Sequence, residues 1–159
     1  MRCTPGCAHM NPIRLAGLAL LVVAMSCRDA VGPEQQITDL EVAHQRWRAQ
    51  NLHTYAFTLQ RACFCTNVHP LFVFVLSDTV AGVLDLETGT MVDRQLGATV
   101  EGLFTFVQSA IDRPARLIRA QYDAAKGFPT EIDYDGAALI ADDEIFYRVS
   151  DVHPITPPT

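Results

Sequence analysis

Apolar positions along the chain follow three different rhythms. Residues 15–25, L-A-G-L-A-L-L-V-V-A-M, are apolar or glycine throughout. Two later stretches repeat at helical spacing. Ile37, Leu40, His44 and Trp47 form the first stripe, which predicts a helix over 37–51, with Thr38 and Glu41 as a capping box and Ile37 and Val42 as a hydrophobic staple. Val100, Leu103, Phe104, Val107 and Ile111 form the second, the clearest amphipathic stripe in the chain, opened by Thr99 and stopped at Arg113-Pro114. His44 reads as a packing residue on the first stripe rather than a ligand.

The remaining stretches alternate or are short and continuous. Tyr55, Phe57 and Leu59 face one way and Thr54, Thr58 and Gln60 the other, which predicts a half-buried strand. Residues 71–76 are apolar at every position, as in a strand covered on both faces or buried by a partner. Strands are expected over 80–86, briefly over 91–94, and over 116–122, 128–135 and 144–151, with turns at Ser77-Asp78-Thr79 and Glu87-Thr88-Gly89-Thr90. D-A-A-K-G joins two of them, and Gly127 can supply positive φ there. Pro129 and the acids Glu131, Asp133 and Asp135 on one side of a strand suggest an edge or a wet face.

These elements predict an α+β domain: an antiparallel sheet of about six strands with two helices packed on it, in the order helix, three or four strands, helix, three strands. Several strand connections are too short for crossover helices, which excludes a doubly wound parallel sheet. The expected organisation is residues 1–27 as a signal peptide, 28–36 as a flexible tether, 37–152 as one domain and 153–159 as a disordered tail.

The N-terminal run is too short for a membrane span, which needs about 20 apolar residues. With Arg14 before it and Ser26-Cys27 after, it has the layout of an export signal. Ordinary signal peptidase cleavage is one reading. The other is lipoprotein processing, because V-A-M-S-C resembles the bacterial lipobox, and Cys27 would then be lipidated and become the N-terminus. Translation from Met1 or from Met10 removes Cys3 and Cys7 from the mature chain in either case.

Charge narrows the partners. The 159-residue chain carries a net charge of −6; without Arg2 and Arg14 the mature part has 10 basic and 18 acidic residues, or −8. Nucleic-acid binding wants the opposite sign.

Chemistry concentrates at R-A-C-F-C. With His69 four residues on, Cys63 and Cys65 have the donor types of a zinc site, but no fourth ligand is indicated and the expectation is no metal. In an oxidising compartment, with Cys27 acylated, they are the last two thiols. They then bridge to each other, pair with another chain or stay free. Residues two apart in a strand lie about 6.5 Å apart, so a Cys63–Cys65 bridge requires the chain to curl at Cys63; such a short-range, strained disulfide closing the end of the first strand is the expectation. Aligning Gly136 with the glycine of a calcium loop brings Glu131, Asp133, Asp135 and Asp142 to ligand positions. The end residues are of the wrong type and flanking helices are missing, so an acidic turn is the better reading. No nucleophile motif surrounds Ser77, Ser109 or Ser150, and His44, His53, His69 and His153 are scattered.

Trp47, Tyr55, Arg61, Cys63, Cys65, Leu103, Phe104, Tyr122, Asp123, Gly127, Phe128, Pro129, Thr130, Asp135 and Asp142 to Glu144 together make a W…Y-x-F…R-x-C-x-C…Y-D…G-F-P-T…D-D-E pattern. It resembles a family of small bacterial exported domains known only as a domain of unknown function. The resemblance implies export and a compact α+β domain; it brings no activity or cofactor with it. The expectation is an exported, lipid-anchored envelope domain at the cell or outer membrane, facing the periplasm or exterior. It would bind an envelope protein or a small ligand without catalysis, with a redox or metal role for Cys63 and Cys65 as the alternative and a hydrolase behind both.

Overall fold

The computed structural model describes residues 33–63, 69–113, 115–136 and 143–156. The chain begins with helix α1 (Pro33–Ala49), followed by strands β1 (Tyr55–Cys63), β2 (Leu71–Leu76), β3 (Thr79–Asp85) and β4 (Met91–Val92) and a 3-10 turn at Arg94–Leu96. Helix α2 (Val100–Asp112) and strands β5 (Leu117–Tyr122), β6 (Pro129–Asp135) and β7 (Ile145–Pro154) complete it. The strands form one antiparallel sheet of seven, in the order β4-β3-β2-β1-β7-β6-β5. The sheet thus has one strand more than the six expected.

Both helices lie on one face. Tyr55, Phe57 and Leu59 of β1 pair in register with Val75, Val73 and Leu71 of β2, and all six are buried. Val83, Ile132 and Val149 extend this surface across β3, β6 and β7. Leu40, Ala43 and Trp47 of α1 and Val100, Leu103, Phe104 and Val107 of α2 close over it. Dispersion and removal of apolar area from water hold these layers together.

Helix α1 starts four residues earlier than the apolar stripe suggests. Pro33 occupies the first helical turn, where its missing N–H costs nothing, and Glu34 and Arg46 and Arg48 sit at the ends the helix dipole favours. Residues 33–36 are therefore helix rather than tether. Thr38 is inside the helix, not at its cap: its hydroxyl donates to the Glu34 carbonyl at 3.0 Å. Ile37 and Val42 are exposed, so the staple does not form. Helix α2 follows the expectation, with the Thr99 hydroxyl accepting from Gly102 N at 2.9 Å.

Three strand expectations change. β6 is interior, between β7 and β5; its acids lie on the face away from the helices, and Pro129 is tolerated as its first residue. β7 continues through His153 and Pro154, pairing with Ala56 and Tyr55, so those two residues belong to the sheet rather than to a tail. β2 is buried on the helical side only. Phe72, Phe74 and Leu76 are half-buried on the open face, where Phe72 packs edge-on against Phe74 with ring centroids 5.0 Å apart.

The β5–β6 hairpin fixes the helix over the sheet. Gly127 has φ +89°, and an added Cβ would overlap the Ala43 carbonyl oxygen of α1. Asp123 shapes the loop by accepting from Ala125 N and Lys126 N, and Lys126 Nζ donates to the Val152 carbonyl at 2.6 Å. Only glycine combines that φ with that approach.

Candidate functional site

Three places gather polar chemistry. At the end of β1, Cys63 lies opposite Ile145 of β7 and is disulfide-bonded. Cys65, like Cys27, lies outside the described residues. His69 begins the return of the chain toward β2. Its Nδ1 lies 2.9 Å from Asp85 Oδ2 and its Nε2 3.2 Å from Glu87 Oε2. Both ring nitrogens thus face carboxylates, which ties up the imidazole that a zinc site with the cysteines would need. Asp85 is buried and also accepts from Glu87 N at 2.8 Å and Thr88 N at 3.0 Å. The Thr88 N–H bond and then His69 hold its carboxyl below the usual range, outweighing burial, and the hydrogen bond to Asp85 raises His69 above its ordinary value.

The second place lies between the end of α1 and the start of α2. His44 Nε2 is 2.6 Å from Glu101 Oε2 while its ring stacks on Phe104 at 4.4 Å, a packing role. His53 Nδ1 is 2.8 Å from Asp78 Oδ2, beside a hollow of about 300 Å³ that Trp47 and Glu101 also line. Among the described residues no Ser, Thr, Cys or Lys lines that hollow beside His53, whereas His44 lines a second hollow of about 300 Å³ with Thr105 and Ser109. The Thr105 hydroxyl is committed to the Glu101 carbonyl, to which it donates at 2.9 Å. Beneath it the Tyr55 hydroxyl accepts from Val100 N at 3.0 Å, and burial pushes that phenol up to about 12.

The third place was not singled out by the sequence. Helix α1 overhangs edge strand β5, and two adjoining hollows of about 180 and 370 Å³ run between them. Asp39, Ala120, Gln121 and Tyr122 line both. The Tyr122 hydroxyl is buried and meets no hydrogen-bond partner among the described residues. Burial, and then the charge of Asp39, raises its pKa. Tyr122 appeared in the family-like pattern, but nothing local tied it to Asp39, 83 positions away.

Two acids of the acidic stretch pair with neighbouring arginines. Arg116 Nη1 donates to Asp135 Oδ2 at 2.8 Å and Arg148 Nη2 to Glu131 Oε1 at 3.0 Å. Asp142 lies outside the described residues. Among the described residues, no group of three His, Cys, Asp or Glu could hold a metal ion, and no helix is long and apolar enough to cross a membrane.

No curated protein and no solved structure matches the chain. A family model does match, over residues 39–154, most of the sequence. The chain belongs to DUF6174, a family of unknown function.

Proposed function

We propose that the protein is a lipid-anchored domain of the bacterial envelope that acts as a non-enzymatic binding module for an envelope protein or a small ligand. The observation that carries the binding role is the groove between α1 and β5, with a buried phenol hydroxyl facing no partner among the described residues. Buried polar groups are normally hydrogen-bonded, so one at a groove invites a ligand group. Support for the anchor comes from the apolar run followed by Ser26-Cys27, with five residues between Cys27 and the first residue of α1. A chain lipidated at Cys27 would hold the domain close to the membrane surface.

Labelling with palmitate tests the anchor. Wild type should take the label and sediment with membranes, and Cys27→Ser should do neither; an unlabelled, soluble wild type would overturn it. Ala120→Phe, which fills the groove, tests the binding role. A partner co-purifying with wild type but not with this variant, at unchanged Trp47 fluorescence, is expected. Equal recovery by both would remove the groove from the account.

A second reading is favoured by Cys63 being disulfide-bonded. A bridge to Cys65 at the end of β1 would be short-range and strained, and hence easily reduced, which suits a redox role. Intact mass before and after reduction and alkylation, with metal analysis, separates bridge, free thiols and metal.

A further inference from the structure

Strand β5 is an edge of the sheet: it pairs with β6 on one side and with no strand on the other among the described residues. Every second residue of an edge strand directs its N–H and C=O outward, and such an edge accepts another strand. Most edges are blunted by brevity, proline or inward charge, as β4 is by its two-residue length. β5 has six residues, L-I-R-A-Q-Y, and no proline.

The surroundings of that edge are specific. Register places Ile118 and Ala120 on the helix side, opposite Tyr134 and Ile132, and alternates Arg119 and Gln121 to the open side, opposite Asp133 and Glu131. Because β5 is the edge strand, Arg119 and Gln121 also line the hollow beneath α1. On the helix side an added strand would meet Ala120, Val107 of α2 and the Tyr122 hydroxyl, beneath the overhang of α1. On the open side it would meet the Arg119 guanidinium. Arg119 is exposed and forms no ion pair with a described residue, although it lies in register with Asp133. It also lines the groove at the edge of the sheet, so its charge lies within reach of an incoming strand.

We infer that β5 takes an extended peptide as an eighth strand, with apolar side chains directed into the α1–β5 groove and an acidic side chain paired with Arg119 across the new strand boundary. This rests on the binding-module reading and names its ligand class. The groove supplies the alternation: on the helix side Val107, Ala120 and the Tyr122 ring give largely apolar walls, where Asp39 also disfavours an acid, and the guanidinium lies on the other side. This matches a segment of alternating apolar and acidic residues. The Tyr122 hydroxyl would gain a backbone or side-chain acceptor from the peptide. A second copy of this chain fits less well. Antiparallel pairing of β5 with itself about a two-fold axis puts the two Arg119 side chains on one face as opposite or diagonal neighbours, and like charges so placed repel.

The test uses the full chain purified in detergent and a blocked, fluorescein-labelled peptide of four Val-Glu repeats. Controls are a Val-Lys peptide and a Val-Glu peptide with a central proline, which cannot complete the ladder. Saturable binding of the Val-Glu peptide, with hydrogen exchange slowed at residues 117–122, is expected. Arg119→Glu should weaken it roughly fivefold or more and turn the preference toward the Val-Lys peptide. Arg119 is exposed, and Trp47 fluorescence checks that the variant is folded. The inference fails if there is no saturable binding, if affinity ignores the Arg119 substitution, if the proline peptide binds equally, or if β5 is protected without peptide in a concentration-dependent dimer. Should it fail while Ala120→Phe still abolishes partner recovery, the groove remains a binding site for another class of ligand.

Discussion

Gly127→Ala probes how closely the β5–β6 hairpin must approach α1. Two costs add at this residue. The backbone is left-handed, φ +89°, which costs an L-residue about 1–2 kcal/mol. The new Cβ would also overlap the Ala43 carbonyl oxygen and lie 2.8 Å from Trp47 N and 2.9 Å from Arg46 Cβ, where ordinary contact begins at 3.4 Å. These obstacles are mostly helix backbone, so hairpin and helix must separate, and forcing a close-packed boundary apart typically costs about 1–3 kcal/mol. The sum is about 2–5 kcal/mol. Gly89→Ala is the control: φ is +68° but nothing lies within 4 Å of an added Cβ, so only the backbone cost of about 1–2 kcal/mol applies. Urea unfolding of both variants, followed by fluorescence of the single Trp47 buried beside the contact, measures the difference. Equal losses would refute the reasoning, because the contact with α1 would then contribute nothing.

Other consequences follow from single contacts. Tyr55→Phe keeps the ring packed edge-on against Trp47 but leaves Val100 N–H buried without its acceptor, and should cost about 1–3 kcal/mol by chemical denaturation; a loss within error of zero would show that water replaces the hydroxyl. Because burial raises that phenol to about 12, its contribution is whole below pH 10 and declines as pH rises from there toward 12; an absorbance titration should find a tyrosine ionising near the upper value. The His69–Asp85 pair works in a bounded window. His69, raised above 6.5, stabilises the fold fully below that value and less as pH rises through its folded value, whereas Asp85, lowered below 3.8, contributes above that value and is lost as pH falls through its folded one. The imidazole should titrate above 6.5 by NMR and return toward 6.5 in Asp85→Asn; a wild-type midpoint at or below 6.5 would contradict the pairing.

Helix α2 was legible because every part of its signal is local. Thr99 caps it, a five-residue apolar stripe faces the sheet, and the residue before Pro114 ends it. The turn at Gly127 was legible for the same reason. The start of α1 was not, because P-E-Q-Q forms its first turn with polar residues and a proline, and periodicity carries no signal there. Sheet order lies beyond local pattern altogether. β7, last in sequence, inserts between β1 and β6, which turns β6 into an interior strand and gives Glu131 its partner Arg148 from β7. β2 read as covered on both faces or buried by a partner because all six residues are apolar, and the helices cover only one side. The groove was hidden for a topological reason: Asp39, Val107 and Tyr122 come from three elements and meet only when α1 and α2 settle over β5.

The most direct test of the proposed envelope role is the intact mass of the protein extracted from membranes of a producing bacterium. The account predicts a chain beginning at Cys27 and carrying a diacylglyceryl group and an N-acyl chain, with a further two hydrogens gained on reduction if Cys63 is bridged to Cys65. A chain that starts at Met1 or Met10, or one cleaved elsewhere without lipid, would contradict it.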